Sequence, residues 1–189
     1  MSGYVAFLRG MNVGGHRISN DELHGRFEEL GFRDVSTFRA SGNVIFATAP
    51  EALTKMTIRI EAGLAASLGY EVPVFLRTAS EVRTIAAHQA FAQSLVTASK
   101  GKLQVAMLSK RPTGRARKEV LSLATDEDRL AFGRRELHWL PSGGILDSAL
   151  DFKAIGKLLG PMTTRTKGTV EQVAVKYFPL SAARSGRSS

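Results

Sequence analysis

The residues best suited to chemistry in this chain are cations and glycines placed for holding negative charge. Arg9-Gly10 leads into Asn12 and the adjacent pair Gly14-Gly15, and Ser41-Gly42-Asn43 follows later in the chain. Turns of this composition leave backbone N–H groups free, and with an Arg and two Asn side chains they suit a phosphate or carboxylate. A second segment, Thr163-Thr164-Arg165-Thr166-Lys167-Gly168-Thr169, puts hydroxyls and cations at the start of a helix, which adds Thr164 and Arg165 to the anion-binding candidates. A third group is Lys110, Arg111 and Arg115 after one strand, with Arg134 and Arg135 in a hairpin turn. Cations gathered at one sheet edge can track a phosphate backbone, and Arg117 and Lys118 would extend that surface. Each group also has a plainer reading that the sequence leaves open. The glycines can simply make tight turns, the threonines an ordinary cap, and the cations a solvated edge that resists aggregation.

Other chemistry is poorly represented. Neither glycine loop has the spacing of a phosphate-binding P-loop or of a dinucleotide fingerprint. There is no cysteine, so disulfides and thiolate chemistry are excluded. His16, His24, His88 and His138 show no paired spacing for a metal. Ser41 would be a nucleophile only beside a base, and no base is identifiable. The sequence implies no cofactor and no metal, and leaves open whether the chain is an enzyme.

The net charge of +9 is unevenly placed. Acids and bases cancel over residues 1–94, residues 95–180 carry +7, and Arg184 and Arg187 lie in the tail. A polyanionic partner or an acidic ligand for the second half would explain this, as would solubility alone. No leader pattern or membrane-length apolar run is visible, so the expectation is a cytoplasmic protein with no membrane contact.

Positioning these groups requires an α+β fold of two ferredoxin-like, split β-α-β halves with antiparallel sheets. Val5–Leu8 is a strand apolar on both faces. Ser19 and Glu22 have capping-box spacing before Leu23, Phe27 and Leu30, with Gly31 as the stop. Strands follow around Val35–Phe38 and Val44–Phe46, then a helix from Leu53 to Leu68 closed by Gly69. Val72–Leu76 is a fourth strand, and Pro73 places it at an edge. The first and fourth strands should be neighbours, with the third between the first and second. Residues 1–79 thus form one half. Residues 80–102 form a connecting helix, capped by Ser80, and a linker. Residues 103–180 form a second, basic half, and 181–189 a disordered tail. The second half runs strand Leu103–Leu108, a helix near Pro112, a hairpin around 133–136, and a helix over Phe152, Ile155 and Leu159. A last helix, capped by Thr166 or Thr169, stands where the final strand would be. The echo is one of element order, without a residue-level repeat.

Tyr4–Gly15, Leu30–Val35 and Ser41–Phe46 together resemble the bacterial family called domain of unknown function 1697. Val74–Thr78 and Thr163–Val170 are similar as well. The resemblance implies duplicated ferredoxin-like halves and no established activity. The family often has Ser-Lys-Leu where this chain has Ser148-Ala149-Leu150, and Thr-Arg-Asn-Trp-Asn-Thr-Val where it has Thr164–Val170. The leading functional expectation is a phosphate-rich partner, nucleic acid first or a phosphorylated small molecule, bound through Lys110, Arg111, Arg115, Arg134 and Arg135. Alternatives are an enzyme or sensor for a small anionic metabolite using Arg9, Asn12, Ser41, Asn43, Thr164 and Arg165, or an interaction scaffold adding a strand at the edge near Pro73. The oligomeric state is left open.

Overall fold

The computed structural model describes residues 1–11, 18–39, 42–145 and 148–179. In the first half, β1 (Ser2–Leu8), α1 (Asn20–Glu29), β2 (Arg33–Thr37), β3 (Asn43–Thr48), α2 (Leu53–Leu68) and β4 (Val74–Thr78) follow in order. Two helices, α3 (Ala79–Ala87) and α4 (Gln93–Ala98), lead to the second half. It comprises β5 (Gln104–Leu108), α5 (Gly114–Leu121), β6 (Asp128–Phe132), β7 (Glu136–Pro141), α6 (Phe152–Leu159), β8 (Met162–Thr166) and α7 (Lys167–Tyr177). The sheets are antiparallel, ordered β2-β3-β1-β4 and β6-β7-β5-β8. β1 and β5 are therefore interior strands, and β4 and β8 are edges.

Alternation along the interior strands divides the molecule into layers. Tyr4, Ala6 and Leu8 pack with Leu23 and Phe27 of α1 and Met56, Ile60 and Leu64 of α2. Ala106 and Leu108 pack with Val120 of α5 and Ile155 and Leu159 of α6. The opposite faces, Val5 and Phe7 of one sheet and Val105 and Met107 of the other, share a third core with Val82 and Ile85 of α3 and Val170 and Val173 of α7. Strands buried on both faces must be apolar at successive positions, which is why Val5–Leu8 has no polar alternation. Burying a side chain such as Phe7 contributes about 1.5–3 kcal/mol.

Local signals explain most of the boundaries. Ser19 and Glu22 form the reciprocal capping box, with Glu22 N donating to Ser19 Oγ at 3.1 Å and Ser19 N to Glu22 Oε2 at 2.8 Å. Gly69 ends α2 at φ 78°, a left-handed angle that only glycine adopts cheaply. β2 ends one residue before Phe38, and Pro73 lies just ahead of β4.

Three readings are corrected, and one choice left open is decided. The second half does have its final strand: β8 pairs with β5 over Gln104↔Thr166 to Leu108↔Met162. Its sequence, Met-Thr-Thr-Arg-Thr, lacks the apolar pattern that announces a strand, because polar side chains fill its inward positions. Thr78, not Ser80, caps α3, forming a box with Glu81. Of the two threonines offered as cap of the last helix, Thr166 fills the role, its hydroxyl accepting from Thr169 N. Finally, the halves do share a residue-level repeat: Arg77-Thr78 and Arg165-Thr166 each end an edge strand and begin a helix. The tail, 181–189, lies outside the described residues.

Candidate functional site

Of the glycine-loop candidates, Asn12, Gly14, Gly15 and Ser41 lie outside the described residues. Arg9 is exposed at the end of β1, with its backbone N–H donating to Pro73 O at 3.0 Å. Gly42, Asn43 and Arg165 do converge, as strand direction requires. Leu8 N donates to Gly42 O at 2.8 Å, and Phe7 stands opposite Asn43. The Arg165 guanidinium enters this corner from the other half. Nε donates to Asn43 Oδ1 at 2.6 Å, and Nη2 to Leu8 O at 2.8 Å and Gly42 O at 3.2 Å. Nη1 donates to Thr163 Oγ1 at 2.9 Å and Thr164 O at 2.8 Å. Arg165 is 9% exposed, so the convergence is a closed knot joining the halves. Burial lowers its pKa to about 10, which leaves it charged at neutral pH.

The same knot occurs a second time with the halves exchanged. Val5 pairs with Arg77 as Val105 pairs with Arg165, and Phe7 with Asn43 as Met107 with Glu136. Arg77 Nε donates to Glu136 Oε1 at 2.8 Å, and Nη2 to Leu108 O at 3.0 Å and Arg135 O at 2.8 Å. Nη1 donates to Leu76 O at 2.9 Å. Arg77 is fully buried. Burial, then its neighbour Arg135, lowers its pKa, and Glu136 opposes them. The knots differ chemically: Arg77 faces a carboxylate, Arg165 an amide. Arg77 and Glu136 were missed by sequence reasoning, although the repeated Arg-Thr before a helix was there to be read.

The basic edge is assembled by hydrogen bonds to backbone carbonyls. Leu108 N donates to Arg135 O at 2.9 Å, Arg135 Nη1 to Ser109 O at 3.4 Å and Arg117 Nη1 to Gly133 O at 3.2 Å. These contacts draw the end of β5, the β6–β7 turn and α5 together. Arg135 itself is committed, with Nη2 on Glu81 Oε1 at 2.8 Å. Arg115 pairs with Glu119 at 2.6 Å. Lys110, Arg111 and Arg134 are exposed, and among the described residues none of them pairs with a carboxylate. Trp139 is buried beneath α6, edge-on to Phe152 at 4.8 Å, with Nε1 donating to Asp128 Oδ1 at 2.7 Å. It offers no stacking platform at that edge. Thr164 is exposed and lines, together with Arg165, Arg39, Ile145 and Phe152, a cleft of about 460 Å3 away from the basic edge. Among the described residues no helix is long and apolar enough to cross a membrane.

Residues 1–138 match the family described as protein of unknown function DUF1697. No curated protein matches the sequence. The chain is similar in fold to the structure of conserved bacterial protein SP0830 from Streptococcus pneumoniae, at 16% identity. The TM-score is 0.70, and the alignment covers 93% of this chain and 97% of that one.

Proposed function

The chain belongs to the DUF1697 family of proteins of unknown function, and on that premise we propose that it binds a phosphate-rich partner, nucleic acid first, at the basic edge of its second half. The observation that carries this is the set Lys110, Arg111 and Arg134. They are held on adjoining turns, exposed, and without an acidic partner among the described residues. Exposed cations of this kind attract a phosphate backbone by releasing its condensed counterions. The imbalance of +7 over residues 95–180 adds a long-range field of the same sign. Fluorescence anisotropy with short RNA and DNA at several salt concentrations tests the reading. Affinity should fall steeply with salt, and changing Lys110, Arg111 and Arg134 to Gln together should lower the log–log salt slope by about 2–3. Absent binding at low salt, or binding flat with salt, refutes it.

A further inference from the structure

A wide concavity lies away from the basic edge, where the two halves join. It is a cleft of about 770 Å3, walled by the loop after α3, by α4, by the approach to β5 and by the first turn of α7. That volume falls within the roughly 300–1,000 Å3 typical of small-molecule sites. Three cations border it, Arg39, Lys102 and Lys167, against one acid, Glu171.

Lys167 is fixed in place. It is 8% exposed, and its Nζ donates to Ala86 O at 2.6 Å and His88 O at 3.1 Å and lies 3.3 Å from Glu171. Among the described residues Arg39 donates to an amide oxygen, Gln172 Oε1, at 2.7 Å, and Lys102 is exposed. Neither of the two forms an ion pair among the described residues. The 11-residue α7 starts here, so its positive end adds to theirs. Phe91, Val96 and Leu103 supply apolar wall.

Behind this wall is an anomaly. His138 is fully buried, yet neither ring nitrogen has a hydrogen-bond partner. Its ring centroid is 4.9 Å from that of His88, which lines the cleft. A buried imidazole with both nitrogens unmet is costly. Burial, then His88, then Lys167, holds the His138 pKa down at about 4, so at neutral pH the ring has one N–H to donate and one lone pair to offer.

We propose that this cleft binds a small phosphorylated molecule of mononucleotide size. Its phosphate lies against Arg39, Lys102 and the start of α7, and its ring lies along Phe91 and Val96, with the His88 ring as the polar contact beside it and His138 packed behind that ring. The site is independent of the basic edge.

Thermal shift of the full chain with AMP, ribose 5-phosphate, inorganic phosphate and adenosine tests it. AMP should raise Tm by on the order of 5 °C at hundredfold saturation, and adenosine should not. The shift should vanish in Lys102→Glu and shrink in Arg39→Gln, and persist when Lys110, Arg111 and Arg134 are all changed to Gln. Ring resonances of His88 and His138 should move with AMP in 15N–1H spectra. A flat Tm with every phosphorylated probe, a shift undiminished in Lys102→Glu, or histidine resonances that stay put while others move would each overturn the site. Loss of the shift in the basic-edge variant would assign the binding to that edge instead.

Discussion

Arg77→Met should cost more than Arg165→Met, although the two arginines sit in matching knots. Both variants strip a buried guanidinium from two carbonyls across the interface and one on their own strand. Among the described residues, the acceptors that Arg165→Met strands are neutral, namely the carbonyls, Thr163 Oγ1 and Asn43 Oδ1, and leaving buried acceptors unmet costs about 1–3 kcal/mol. Arg77→Met also strands Glu136, which is 5% exposed and among the described residues keeps Arg135 N as its donor, at 3.0 Å. An uncompensated buried charge raises the cost to about 3–5 kcal/mol. For a chain of this size each kcal/mol moves Tm by about 2–4 °C, so Arg77→Met should melt several degrees below Arg165→Met. The decisive sample is the double variant Arg77→Met/Glu136→Gln. Removing the stranded charge should return its stability to about that of Arg165→Met, a gain of roughly 2 kcal/mol over Arg77→Met. Urea and thermal unfolding of the four proteins measures this. Equal losses in the two single variants, or a double variant weaker than Arg77→Met, would refute the claim that Glu136 makes the first knot different.

His138 makes stability depend on pH with a definite sign. Its folded pKa, about 4, lies below the ordinary 6.5 because of burial, then His88 and then Lys167. As pH falls through 6.5 the unfolded chain takes up a proton that the native chain refuses until about pH 4, so native stability drops across that window by on the order of 3 kcal/mol. His138→Phe should flatten this part of the profile, and an unchanged slope between pH 7 and 5 would place the titration elsewhere. Thr78→Ala removes the hydroxyl that accepts from Glu81 N at 3.2 Å and should cost about 1 kcal/mol, as should Thr166→Ala at α7. Calorimetry that shows no loss in either variant would mean these caps are replaced by water.

The elements legible in the sequence are those whose side chains announce their own partners. Ser19 and Glu22 satisfy each other within one turn, so four consecutive residues suffice to place the start of α1. Val5–Leu8 must be buried on both faces because every residue in it is apolar. β8 fails the same test for a physical reason. Its inward residues are Thr163 and Arg165, and both bond to Leu8 O, at 3.2 and 2.8 Å, in the other half. A carbonyl has no signature in the sequence, so a strand whose inner face is made to meet carbonyls looks like a loop. The Arg-Thr repeat was the available signal, since it recurs just before a helix in each half.

The same invisibility governs the charges. A sequence counts cations but not what they hold, and here backbone carbonyls and carboxylates hold several of them. Of the five cations named at the basic edge, Arg115 holds Glu119 and Arg135 holds Glu81, which leaves Lys110, Arg111 and Arg134. Each phosphate neutralised contributes about 0.7–0.9 to the salt slope, so this edge alone predicts a slope near 2–3, where five uncommitted cations would give about 4. A measured slope of about 4 or more would therefore require further contacts. Lys118, exposed on the α5 that the Arg117–Gly133 contact holds against the β6–β7 turn, is the first to test, because a phosphate backbone lying along the edge would reach it next.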